Sequence, residues 1–129
     1  MVHPTGQGIK KLPALFYRNE LGTEPVRDWL LNKLDDEDRR LIGRDIAKVE
    51  FGWPIGMPTC EPLGYGLFEV RTDLPNNRIS RVLFCMHDGH MILLNGFIKK
   101  STEGRKTPKR EIDKAHKRRE DMRKRLADD

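Results

Sequence analysis

The sequence predicts an α+β fold: a small, mainly antiparallel sheet packed on an N-terminal helical hairpin, then a basic C-terminal helix, in the order β-α-α-β-β-β-α. Three features of the chain lead there. Apolar residues recur at helical spacing between positions 25 and 50. Three strand-like runs follow one another from Leu67 to Ile98, and lysine and arginine crowd the last quarter of the chain. The 129 residues have the length of one domain, expected to span 1–129 with a loose stretch at 1–10. With 36% hydrophobic and 35% charged residues, the chain suits a single core of two packed layers edged by charge.

The first element is short. Leu12 to Arg18 (LPALFYR) is apolar and aromatic enough for a strand, and Pro13 assigns it to a sheet edge. Asn19 to Thr23 turns around Gly22. Thr23 is a candidate N-cap and Pro25 fits the first helical turn, where its missing N–H costs little. Val26, Trp29, Leu30 and Leu34 then mark a helix of roughly three turns. Asp35-Asp36 ends it and can cap a second helix, whose apolar stripe is Leu41, Ile42, Ile46 and Val49. Arg39, Arg40, Arg44 and Lys48 face outward.

Gly52 to Gly66 holds three prolines and four glycines and is expected to be loop. Loops of that length in a compact domain are uncommon and often functional. Leu67–Asp73 alternates, with Phe68 and Val70 on one face and Glu69 and Arg71 on the other. Leu74–Asn77 turns into Arg78–His87, and Asp88-Gly89 is a type I′ hairpin signal leading into His90–Ile98. This last run is almost wholly apolar, as a central strand covered on both faces would be. Thr107-Pro108 can cap a helix over 107–127 with a narrow apolar stripe of Ile112, Ala115, Met122 and Leu126, so much of it is expected to be wet or to await a partner.

Composition and motifs exclude several classes. No apolar run approaches the ~20 residues of a membrane span, and Met1–Lys11 has no apolar signal core, which makes a cytoplasmic protein the expectation. Cys60 and Cys85 form no Cys-x-x-Cys pair, so neither a disulfide scaffold nor a cysteine zinc module is expected. Cys60 has no evident base nearby and reads as incidental. None of the histidines, His3, His87, His90 and His116, belongs to a cluster with metal-ligand spacing, and no phosphate-cradling or dinucleotide motif is present. No metal and no cofactor are expected.

The net charge of +5 is unevenly spread. Residues 1–98 hold 12 Lys/Arg against 13 Asp/Glu, whereas residues 99–125 hold 13 against 5. A polyanion partner, nucleic acid or an acidic protein segment, fits that asymmetry; a solvated helix laced with i,i+4 ion pairs would also produce it. Two arginines stand in mid-strand: Arg71, with Glu69 or Asp73 as possible ion partners, and Arg81, which shares its parity with Ile79, Leu83, Cys85 and His87. An arginine among apolar neighbours is either paired with an acid or set to grip an anion. Lys99 and Lys100 end the apolar strand on opposite faces, so only one can join the arginines. His87, at the hairpin tip, is a further candidate. Arginine, lysine and histidine on a polyanion suit metal-free RNA cleavage, in which a base deprotonates the 2′-OH and cations steady the charge on the phosphoryl oxygens.

Three blocks, PLGYGLFEVRTD (62–73), RVLFCMHDGHMILLNGFIKK (81–100) and KTPKREIDKA (106–115), resemble the phage Gp49-like/HigB branch of the RelE/ParE toxin superfamily. The resemblance implies a RelE-like fold and a type II toxin–antitoxin toxin acting as a ribosome-dependent mRNA endoribonuclease. Its partners would be the ribosome, mRNA and a cognate antitoxin, commonly a helix-turn-helix DNA-binding protein. It implies catalytic roles for Arg71, Arg81, Lys99 and Lys100, and His87 competes with the two lysines as general base. Lys106, Lys109, Arg110, Lys114 and Arg118 would contact RNA. The segment Ser101–Arg105 is longer than the spacer usual in such proteins, and no aromatic residue follows Phe97. Two other activities are compatible: a ParE-like toxin acting on gyrase without cleavage, and a catalytically degenerate RNA-binding phage protein.

Overall fold

The computed structural model describes residues 8–104 and 106–127, so His3 and Arg105 lie outside the described residues. The elements are β1 (Ala14–Phe16), α1 (Pro25–Asn32), α2 (Asp36–Gly52), β2 (Cys60–Gly64), β3 (Leu67–Leu74), β4 (Arg78–His87), β5 (His90–Lys100), a 3₁₀ turn over Ser101–Glu103 and α3 (Lys109–Ala127). The five strands lie in the order β1-β5-β4-β3-β2. β1 pairs parallel with β5 and the other neighbours are antiparallel. The fold is therefore α+β with a mainly antiparallel sheet, and β1 takes the edge that Pro13 foretells.

One strand is additional to the expected order. Cys60–Gly64 lies within the stretch read as loop, yet it pairs with β3 along the outer edge of the sheet. An edge strand tolerates Pro62, whose missing donor can point away from the ladder. β4 and β5 are joined by Asp88-Gly89, both at positive φ as a type I′ turn requires. Leu94 is an extra residue between the rungs Leu83–Asn95 and Phe84–Leu93. This bulge brings Leu94 and Asn95 to the same side of the sheet, where Leu94 joins the α3-side core and Asn95 bonds to α3.

Both sheet faces are covered, so there are three layers rather than the expected two. On one face α1 and α2 bury Val26, Leu30, Ile42, Ile46 and Val49 against Val70, Val82, Phe84, Met91 and Leu93. On the other, Ile112, Ala115 and Met122 of α3 meet Leu67, Leu83, Cys85, Ile92 and Leu94. β4 and β5 are buried on both sides, which accounts for their continuous apolar runs.

The hairpin is fixed by polar contacts at its ends. Asp35 caps α2 by accepting from the Asp38 amide. Thr23 is not the cap of α1; that position is Glu24, without a side-chain bond. Arg39 does not face outward: it donates to the carbonyls of Leu30 and Leu34, closing the end of α1. Arg78 grips Asp38 through two bonds of 2.7 and 3.1 Å, tying β4 to the start of α2.

Gly96 marks the closest approach of helix and sheet. A Cβ there would stand 2.7 Å from Trp29 Cε3 and closer still to Cζ3. Gly96→Ala is expected to cost about 1–3 kcal/mol through overpacking, read as a lower urea midpoint with unchanged slope.

Candidate functional site

The rungs of the sheet decide which charged residues meet. Arg71 and Arg81 are cross-strand partners and so share the α3 face. Lys99 lies on that face opposite Ile79, whereas Lys100, paired with Arg78, lies on the other. His87 is exposed at the hairpin tip, paired with His90 and six residues along β4 from Arg81, about 20 Å away. The register thus gathers Arg71, Arg81 and Lys99 on one face and leaves Lys100 and His87 outside the group.

Arg81 is the centre of the face. Its side chain is 1% exposed and its Nη1 donates to both oxygens of Glu69, at 3.0 and 3.1 Å, and to Thr107 Oγ1 at 3.0 Å. The Thr107 hydroxyl donates in turn to Glu69 at 2.6 Å. Glu69 is therefore the partner of Arg81, not of Arg71, and the Thr107 hydroxyl is taken up by this trio instead of capping α3. Nε and Nη2 of Arg81 are buried and have no partner among the described residues. Buried N–H donors are costly unless something accepts from them. Arg81 lines a cleft of about 260 Å³ with Glu61, Leu63, Lys106, Thr107 and Ile112, so an anion entering there would stand beside its guanidinium.

The surroundings add one acid and two amines. Glu61 stands beside Glu69 in the β2–β3 ladder, and its carboxylate makes no ion pair among the described residues. Lys99 Nζ donates to the Lys106 carbonyl at 3.0 Å, one peptide from the Thr107 that holds Arg81. Lys106 itself is exposed at the cleft. Arg71 makes no side-chain hydrogen bond among the described residues and lines a different cleft, with Arg44, Lys48 and Met57. The sequence pattern singled out neither Glu61 nor the Arg81 partner of Glu69, and it offered Thr107 only as a helix cap. The Glu-Val-Arg alternation of β3 was visible, but a diagonal contact to β4 depends on register, which no local pattern records.

The RNA contacts expected on the last helix divide. Lys109, Arg110 and Lys114 point to solvent, where Lys109 pairs with Asp113 and Lys114 with Glu111. Arg118 turns inward and donates to the Leu94 carbonyl at 2.7 Å and to Asn95 at 3.4 Å, and burial holds its pKa below the usual value. One side of α3 is docked along its length, while the opposite side stays exposed, as expected. Asn95 donates to Glu111, Arg119 bonds the Tyr65 carbonyl and His116, and Arg125 bonds Asp121 and the Arg18 carbonyl. His116 is shifted below its ordinary value by burial first and then by Arg119.

Near the far end of α3, Tyr17 donates its hydroxyl to Asp121, and that bond, with Arg125, lowers the Asp121 pKa. A carboxylate with a depressed folded value stabilises the fold above its unfolded value, near 3.8, and loses that contribution as pH falls through the folded value. Melting curves from pH 5 down to 2 are expected to fall less steeply for Asp121→Asn than for the wild type.

Cys60 is buried in β2, and desolvation, then Glu69, pushes its thiol up to about 11. It is a core residue, not a nucleophile. Among the described residues no group of three or more His, Cys, Asp or Glu is gathered to hold a metal ion, and no helix is long and apolar enough to cross a membrane.

Residues 29–120, from the middle of α1 to the second half of α3, match the family described as phage-derived protein Gp49-like (DUF891). No curated protein matches the chain.

Proposed function

The chain belongs to the Gp49-like family of phage-derived proteins, the family of the HigB/RelE-like toxins, and on that premise we propose that it is the toxin of a type II toxin–antitoxin pair and cuts mRNA on the ribosome. The observation that carries the reading is the buried Arg81 guanidinium, two of whose nitrogens have no partner among the described residues, at a cleft lined also by the Glu61 carboxylate and the Lys106 amine, with Lys99 bonded to the Lys106 carbonyl. That set contains each part a 2′-OH-driven cleavage needs.

In this reading the scissile phosphate enters the cleft and its oxygens accept from Nε and Nη2 of Arg81. Glu61 takes the proton of the 2′-OH, whose oxygen attacks phosphorus. Negative charge building on the phosphoryl oxygens is met by Arg81, with Lys106 at the rim. The P–O5′ bond breaks and Lys99 hands its proton to the leaving oxygen. One product ends in a 2′,3′-cyclic phosphate and the other in a 5′-hydroxyl. Lys109, Arg110 and Lys114 add the salt-dependent attraction that a ribosomal RNA surface rewards. A cognate antitoxin, of the helix-turn-helix kind, would hold the toxin silent.

A second reading is favoured by one observation, the closure of Arg81 by Glu69 and Thr107. A toxin that binds without cutting would use that trio only as structure. The readings separate on purified ribosomes carrying a defined mRNA: primer extension is expected to show cuts within the occupied codon and none on free mRNA. Uncut mRNA under both conditions would overturn the endoribonuclease reading.

A further inference from the structure

Arg71 opens onto a groove that the cleavage reading leaves unused. α2 carries Arg40, Arg44 and Lys48 at every fourth position, which sets one cation per ~6 Å along one side of the helix. Arg44 and Lys48 line two adjoining hollows. One, of about 540 Å³, is completed by Phe51 and Ile55. The other, of about 330 Å³, is completed by Met57, Thr59 and Arg71. Because the two hollows share both cations, they form one channel from the end of α2 to Arg71.

The charges in the channel are arranged, not incidental. Asp45 sits beneath, 8% exposed, and contacts Arg44 at 3.4 Å and Lys48 at 3.3 Å. It holds the two heads side by side while each stays half exposed. Lys10 adds a cation 5.9 Å from the Phe51 ring centre. Asp73 is the one acid at the Arg71 end. Along the channel Phe51, Ile55 and the exposed Met57 supply an apolar floor.

We infer that this channel is a binding groove for single-stranded RNA, its phosphates on Arg44, Lys48 and Arg71 and its bases against Phe51, Ile55 and Met57. Regular cation spacing matches a regular polyanion, and an apolar floor beside it matches unstacked bases. An acidic peptide would need carboxylates in the same register. Arg71 is the cross-strand partner of Arg81, so the Arg71 end of the groove lies one strand away from the arginine of the cleft and would receive nucleotides flanking the cut. In that respect it rests on the endoribonuclease reading.

The test uses the full chain and a fluorescent 12-nucleotide 2′-O-methyl RNA, which cannot be cut, followed by anisotropy across a salt series. Arg44→Gln/Lys48→Gln keeps polar partners for Asp45 and is expected to weaken binding about tenfold. It should also flatten the dependence of log K on log salt by about 1.4, two phosphate contacts' worth for a single strand. Arg27→Gln on α1 with Lys33→Gln at its C-cap, the same charge change, is expected to stay within about twofold. Equal affinity of the Arg44/Lys48 variant and the wild type would overturn the groove, as would a poly-glutamate peptide competing as well as RNA. Because the probe is uncleavable, loss of ribosomal cutting with groove binding intact would count against the endoribonuclease alone.

Discussion

Arg81→Ala is expected to abolish growth inhibition and, at the same time, to lower the melting temperature on the order of 10–20 °C, the consequence of ~3–5 kcal/mol lost when a buried pair is broken. Glu69 is fully buried and would be left without its cation. The burial of Arg81 against Glu69 is what gives the substitution a structural cost as well as a functional one. A decisive variant must therefore remove the whole polar group. Glu69→Met/Arg81→Met, with Thr107→Val to delete the hydroxyl they would orphan, replaces the trio by apolar side chains of similar size. Such exchanges are commonly neutral or stabilising. This variant is expected to melt near the wild-type temperature and to cut about 10²–10³-fold more slowly, the loss typical of one oxyanion donor. A folded variant that still cuts would assign Arg81 to the core alone.

Lys99→Ala is expected to slow ribosome-dependent cutting by about 10²-fold or more, with stability within about 0.5 kcal/mol because the lysine lies at a strand end. Lys100→Ala and His87→Ala should leave the rate within about twofold. The contrast follows from geometry. Lys99 shares the face of Arg81 and reaches the Lys106 carbonyl, Lys100 points to the other face, and His87 sits at the far hairpin tip. Single-turnover rates with saturating ribosomes measure all three. Loss with His87→Ala and none with Lys99→Ala would contradict the placement of the leaving-group acid.

Local chemistry made much of the fold legible. Asp88-Gly89, Asp35 before the α2 stripe, Pro25 in the first turn of α1 and Pro13 at an edge each state a backbone requirement within a few residues. What depends on distant pairing was hidden. β2 hides behind Pro62 and the surrounding glycines because an edge strand needs only one row of bonds. The bulge at Leu94 leaves no composition mark, yet it brings Asn95 to α3. α3 docks through Glu111, Arg118, Arg119 and Asp121, residues that a hydropathy pattern assigns to solvent. Of the proposed site, only residue types were legible: mid-strand arginines and a strand-end lysine. Their grouping, and the parts taken by Glu61, Glu69 and Thr107, came only with the register of β2, β3 and β4.

The most direct measurement of the central claim is transcriptome-wide mapping of mRNA 5′ ends after induction in a bacterial host, wild type beside the Glu69→Met/Arg81→Met/Thr107→Val variant. The account predicts new 5′-hydroxyl ends within translated codons for the wild type, absent when translation initiation is blocked and absent in the folded variant. Growth arrest by the wild type with no new ends inside coding sequence would contradict it and make the protein a toxin that binds without cutting.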